Sequence, residues 1–139
     1  MIGHLGLNVD DLAVSKTYYD EVMPMLAFEP FVVADDEFAY RPADGKRGTY
    51  LFFYPRPAAP IEAEVMEADH ADAVGLQHLA FVVPTRGQVH AVHELVVRLG
   101  SEIIHRPQEF PQYPPPYFAM FWRDPNGFML EAVCHHDRD

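Results

Sequence analysis

Cysteine is nearly missing from this chain of 139 residues: Cys134 is the only one. An intrachain disulfide is therefore excluded, and a reducing cytoplasm is the expected home. Basic residues are scarce as well. Ten Lys and Arg stand against 21 Asp and Glu, a formal net charge of −11. That balance argues against a nucleic-acid phosphate backbone, and against an anionic membrane surface, as the main partner. No apolar run is long enough to span a bilayer. The N-terminus lacks the basic segment, apolar stretch and cleavage site of a secretory signal. Core material is plentiful, with 49% hydrophobic and 13% aromatic residues. This fits one packed domain over residues 1–139, not a disordered chain.

The chain nearly repeats itself. Residues 2–9 read Ile-Gly-His-Leu-Gly-Leu-Asn-Val, and residues 76–83 read Leu-Gln-His-Leu-Ala-Phe-Val-Val. Superposing them sets His4 on His78, Leu5 on Leu79 and Val9 on Val83. A period of this kind has to be read before anything else, because it decides the fold. In each segment apolar residues alternate with the histidine face, as in a half-buried strand. Asp10 and Asp11 cap a helix running to about Met23, with Pro24 at its end. Thr85 caps a second helix, whose apolar face is Val89, Val92, Val96 and Leu99 and whose stop is Gly100.

Three strands follow each helix. They are expected at 27–33, 37–41 and 49–54 in the first half, and at 102–105, 117–123 and 128–133 in the second. Turns are expected at 43–46 and 124–127. Each half thus reads strand, helix, three strands. Module one covers about 1–60 and module two about 76–135. The acidic linker between them, about 61–75, carries Glu62, Glu64, Glu67, Asp69 and Asp72. The prolines at 107, 111 and 114–116 read as a stiff connection between two strands. Cys134, His135 and His136 resemble a metal cluster on paper, but they end the chain beside charged residues and read as a frayed tail.

The chemistry-bearing residues are His4, His78 and Glu131. Both histidines sit opposite the leucine-rich strand faces, and Glu131 interrupts an otherwise apolar last strand. A buried carboxylate without a cation is costly. If the halves pack about a pseudo-twofold axis, their first strands become neighbours and Glu131 approaches both imidazoles. Two histidines and one carboxylate make a facial triad with open positions on a divalent metal.

These segments, with the closing Arg123-Asp-Pro-Asn-Gly-Phe-Met-Leu-Glu131, resemble the vicinal oxygen chelate superfamily of glyoxalase I, bleomycin-resistance proteins and extradiol dioxygenases. The resemblance spans essentially the whole chain. It implies an α+β fold of two βαβββ modules, forming a curled mixed sheet around a metal-binding cup. It also implies His4, His78 and Glu131 as ligands of Fe, Mn, Zn, Ni or Co.

Departures from the family pattern narrow the chemistry. Setting Gly48 against Gly127 places Phe52 where glyoxalase I has a fourth ligand, a glutamate; that activity is therefore disfavoured. Phe121 stands where ring-cleaving dioxygenases have a tyrosine, and His105 lies too far upstream to match their second histidine. Few cations lie near the ligands, against a phosphonate substrate. Tyr50, Tyr54 and Tyr117 are the candidates for donating a proton or hydrogen bond to a chelated oxygen. Phe52, Phe121 and Met129 are the candidate pocket wall. The expected function is a metal-dependent oxygenase or lyase acting on a small molecule bound through vicinal oxygens, assembled as a symmetric homodimer. The alternative is a non-catalytic binding or resistance protein using the same cup.

Overall fold

A computed structural model describes residues 1–57 and 74–136. The acidic stretch expected as a linker and His70 lie outside the described residues, as do the last three residues. The first module comprises β1 (His4–Val9), α1 (Leu12–Met25), β2 (Phe28–Val33), β3 (Phe38–Pro42) and β4 (Tyr50–Pro55). The second comprises β5 (Leu79–Val82), α2 (Arg86–Arg98), β6 (Ile103–Glu109), β7 (Phe118–Arg123) and β8 (Met129–Cys134).

The caps work as their residue types dictate. The Asp11 carboxylate accepts from the Val14 N–H, and the Thr85 hydroxyl oxygen accepts from the Gln88 N–H. Gly100 closes α2 at a positive φ of 80°, where its N–H and that of Ser101 bond back to Val97 and Val96. Val89, Val92 and Val96 are buried as expected. Leu99 is not: it sits at the C-cap, 38% exposed, and Leu95 takes its place on the buried face. The first helix runs two residues past Met23, with Pro24 inside its last turn. Leu26 and Ala27 close that turn by bonding to the carbonyls of Met23 and Pro24. Pro24 costs the helix one i→i−4 bond, in this last turn.

Two four-stranded sheets result, in the orders β1-β4-β3-β2 and β5-β8-β7-β6. In each, the first strand runs parallel to the last, and the remaining pairs are antiparallel. The first strands of the two modules are not neighbours in one sheet, contrary to expectation: β1 bonds to β4 and β5 bonds to β8. The reason lies in the helices. Each packs on its own sheet, and α1 also packs on α2. One large apolar cluster therefore draws Val9, Tyr19, Val22 and Phe53 from the first module, and Val89, Val92, Trp122 and Leu130 from the second. The leucine-bearing strand faces point into it. The histidine faces point away.

β6 is longer than expected and contains Pro107. It is an edge strand, and its register with β7 shifts between His105 and Gln108, so the missing donor breaks no regular ladder. No helix among the described residues is long and apolar enough to cross a membrane.

Ala27 ends α1 at a φ of 62°, the conformation Gly100 serves in the second module. A Cβ is disfavoured there, against the extra chain entropy a glycine would lose. Ala27→Gly is expected to raise stability by about 0.5–1 kcal/mol, read as a higher thermal-unfolding midpoint. A lower midpoint would count against strain at this cap.

Candidate functional site

On the second sheet, the face turned away from α2 carries a small apolar cluster of its own. Phe110, Ala119, Phe121 and Val133 form it, with Ile104, Tyr117 and Met129 packed alongside. Strand alternation sets Leu130 and Ala132 into the main core and Glu131 into this outer cluster. Glu131 is 1% exposed. A carboxylate buried among apolar groups needs partners. The Tyr117 hydroxyl donates to its Oε1 at 2.7 Å. Burial first, then that hydrogen bond and the carboxylate's charge, push the Tyr117 pKa up, so the phenol keeps its proton.

The second oxygen is different. Glu131 Oε2 lies 3.2 Å from His78 Nε2, within ion-pair distance, yet no described residue donates a hydrogen bond to it. The other ring nitrogen, His78 Nδ1, lies 3.0 Å from Gln77 Oε1. A ring that donates from Nδ1 presents a lone pair at Nε2. Two acceptor atoms then face each other with no hydrogen aligned between them. Neighbouring ligands on an octahedral ion with bonds of about 2.1 Å are about 3 Å apart. Imidazole nitrogen plus carboxylate oxygen is also the donor set of transition-metal sites. The pair therefore fits two of the ligands of a divalent metal.

The third expected ligand is elsewhere. His4 stands on β1, opposite Tyr50 in the β1–β4 register, with its ring 5.5 Å from Phe52. Among the described residues, no three His, Cys, Asp or Glu side chains come together to hold a metal. The structure joins His78 to Glu131 and leaves His4 on the other sheet, because the modules meet through their helices.

The registers also locate the mirrored slot. Gly6 pairs with Phe52 as Ala80 pairs with Glu131. Phe52 thus occupies, on the first sheet, the position Glu131 holds on the second. Phe31 stands edge-on to both Tyr50 and Phe52, so this face is an aromatic platform beside His4.

A cavity of about 240 Å³ opens on the second sheet, with His78, His105, Tyr117, Phe121, Met129 and Glu131 among its lining. Phe121 and Met129 are therefore pocket residues, whereas Phe52 is not part of this cavity. Of the three tyrosines proposed for proton donation, Tyr117 alone reaches it, and its proton is already committed to Glu131. Tyr50 and Tyr54 belong to the first sheet.

His105, set aside as too far upstream, is in the cavity because β6 and β7 pair it with Phe121. The readable signal was the hairpin itself: a strand ending at His105, a proline-rich return and a second strand fold the two residues side by side. Cys134 ends β8 in the main core, and the His135 ring packs on Tyr117 at 5.0 Å.

The model of the Glyoxalase/Bleomycin resistance protein/Dioxygenase superfamily matches residues 1–132. No curated protein matches the chain. Among solved structures, a Bacillus halodurans protein designated a glyoxalase is 27% identical, with a TM-score of 0.76 over 96% of this chain and 95% of that one. A glyoxalase/bleomycin resistance protein from Albidiferax ferrireducens T118 is 21% identical, with a TM-score of 0.68 over 98% and 99% of the two chains. A lactoylglutathione lyase from Agrobacterium tumefaciens is 20% identical, with a TM-score of 0.63 over 96% and 92%. At such identities the last two speak for the fold alone.

Among the described residues, Tyr117 is the one hydrogen-bond donor to the buried Glu131 carboxylate, and Tyr117→Phe removes it. Unfolding free energy in urea is expected to fall by about 1–3 kcal/mol. Adding Glu131→Gln to that variant is expected to cost less than the two single losses summed, because the residues share one interaction. Strict additivity would show that the bond carries no weight.

Proposed function

Because the chain belongs to the Glyoxalase/Bleomycin resistance protein/Dioxygenase superfamily, we propose that it is a metal-dependent enzyme acting on a small molecule bound through vicinal oxygens, by oxygenase or lyase chemistry. One observation carries this reading. A buried carboxylate oxygen to which no described residue donates a hydrogen bond lies 3.2 Å from an imidazole nitrogen, on the wall of a cavity lined by both aromatic and polar side chains. A cation beside such an oxygen offsets the cost of burying its charge.

His78 and Glu131 would hold the ion from one copy of the chain. The third ligand, His4, would come from a second copy in a symmetric homodimer. The support is that the histidine face of each sheet points away from the helices that join the modules. The first sheet's face is aromatic, and it leaves Phe31 44% and Val33 68% exposed. An apolar patch of that kind on an otherwise charged protein marks an interaction surface. Docking this face on the second sheet of another copy brings His4 toward His78 and Glu131 and closes the cavity.

When bound, the ion supplies Lewis-acid polarisation of two vicinal oxygens, extended to dioxygen chemistry if it is iron(II). The chain's own groups do the rest. Gln77 holds the His78 ring by its Nδ1, and Tyr117 holds the Glu131 carboxylate by Oε1. Phe110, Phe121 and Met129 give the cavity its apolar side. An apolar cavity of about 150 Å³ accommodates benzene, so the 240 Å³ here suits a single planar ring or a small dicarbonyl. Phe52 in the mirrored slot leaves no carboxylate to act as the base that glyoxalase-type isomerisation requires. The single cysteine makes a reducing cytoplasm the compartment we assign.

Elemental analysis of protein purified without added metal tests the centre. One divalent ion per chain is expected, lost in Glu131→Ala and in His4→Ala. Co-refolding these two variants together is expected to restore about a quarter of the wild-type metal content, since half the random dimers are mixed and each rebuilds one of two sites. No recovery would place the whole site within one chain.

Turnover of a glutathione hemithioacetal is expected to be negligible. Phe52→Glu is expected to tighten Ni or Zn binding, measured by competition with a chromogenic chelator. Robust isomerase activity in the unmodified protein would remove the oxygenase or lyase reading.

A further inference from the structure

Asn126 and Gly127 form the one Asn-Gly step in the chain. Asparagine is a chemically labile side chain. It is most so ahead of glycine, which places no Cβ in the path of the following backbone nitrogen. The other asparagine, Asn8, precedes Val9, whose branched Cβ hinders the same approach. The reaction has two requirements. The Gly127 nitrogen has to be free, and the Asn126 side-chain carbon has to swing over it.

The folded chain meets neither. The Gly127 N–H donates to the Asp124 carbonyl at 3.0 Å. The Asn126 amide is held at both ends. Its Oδ1 accepts from the Asp10 N–H at 2.9 Å, and its Nδ2 donates to Ser15 Oγ and to Asp124 Oδ2, each at 3.1 Å. Asp10 and Ser15 belong to the first module and Asp124 to the second. Ser15 and Asp124 are buried. The labile amide is therefore itself a link between the modules, and it turns only when the contact between α1 and the β7–β8 turn opens.

Conversion to aspartate acts on the same contact. A carboxylate oxygen replaces Nδ2, and an ionised carboxylate donates no hydrogen bond. Ser15 Oγ loses that donor, and a second negative charge stands where Nδ2 met the Asp124 carboxylate. Like charges at that spacing, away from water, repel strongly. Isoaspartate, the other product, adds a methylene to the backbone of a turn shaped around Asp124.

We propose that Asn126–Gly127 is a deamidation site kept latent by the contact between the modules: it reacts when the modules part, and its product hinders their closing again. The step balances. The Gly127 nitrogen bonds to Asn126 Cγ, the bond from Cγ to Nδ2 breaks, and ammonia leaves with the Gly127 proton. Water then opens the cyclic imide to aspartate or isoaspartate. No oxidant or reductant takes part, and the chelating site of the preceding section is not involved.

The test is peptide mapping by mass spectrometry on full-length protein aged in mildly alkaline buffer, native and in urea. The readout is the mass gain of an amide turning into an acid, which isomerisation at Asp44–Gly45 does not give. Native protein is expected to convert at Asn126 about tenfold or more slowly than unfolded protein, since at least one hydrogen bond has to be given up first. Asn8 is expected to stay intact in both. Ser15→Ala removes the first module's acceptor and leaves the turn's own bonds. It is expected to speed native conversion several-fold and to leave the rate in urea unchanged. Converted chains returned to native buffer are expected to drop out of the folded fraction or to melt at a lower temperature. Asn126→Asp is expected to melt below Asn126→Ala, which loses the same hydrogen bonds and adds no charge.

No conversion in urea, or equal rates in native and unfolded protein, would overturn the latent site. An unchanged native rate in folded Ser15→Ala would place the restraint in the turn alone and refute the part given to the modules. Converted chains that refold and melt like the rest, or Asn126→Asp melting at or above Asn126→Ala, would remove the effect of the product.

Discussion

Asp124 is the side chain on which the mutual placement of the modules depends. It is 6% exposed, at the turn between β7 and β8. Its Oδ1 accepts from the backbone N–H groups of Asn126 and Phe128, which shapes the turn. Its Oδ2 accepts from the Tyr19 hydroxyl at 2.6 Å, which ties that turn to α1 of the other module. Burial, with the nearby Asp124 charge next, pushes the Tyr19 pKa well up, so the donor stays protonated. Asn126 extends the tie by accepting from the Asp10 N–H and donating to Ser15. A buried carboxylate with its acceptor sites filled is stable, and removing any one donor leaves charge unpaired. The strand launched from this turn is β8, so the clamp that joins the modules also sets where Glu131 lies.

The second consequence is directional. With α1 packed on α2 and Trp122 donating to the Tyr18 hydroxyl, the inner faces of the helices form the centre on which the modules join. Each sheet spends its leucine-rich face on that centre, and its other face looks outward. The two outward faces share a register but not a chemistry. One holds an imidazole and an aromatic platform. The other holds an imidazole, a buried carboxylate and a cavity. Duplication supplied two copies of one scaffold, and the difference between Phe52 and Glu131 divided the work between them.

Much of this was legible residue by residue. Asp11, Thr85 and Gly100 mark helix ends through local chemistry that needs no tertiary context. The alternation around Leu5, Leu7 and Val9 gave the first strand and its buried side, and setting Gly48 against Gly127 placed Phe52 opposite Glu131, as the registers do. The misses have a common cause. Leu99 obeys the helical period but falls at the cap, where the helix stops covering it. His105 was discounted by its distance along the chain, which an antiparallel hairpin makes irrelevant. Expecting β1 beside β5 assumed that repeated strands pair with each other, whereas each pairs with the last strand of its own module and the modules meet through α1 and α2.

The amino-acid sequence by itself determined the element order, the two-module plan, the polar residues on the outward strand faces and the absence of a carboxylate at the mirrored slot. These follow from local periodicity and capping, which act within a few residues. Only the tertiary structure decided which of those polar residues meet. Whether His78 reaches Glu131, whether His4 does, and whether His105 shares their cavity depend on how two sheets pack on a common pair of helices. That packing rests on the shared apolar core and on one carboxylate at the turn before β8, neither of which has a period to read.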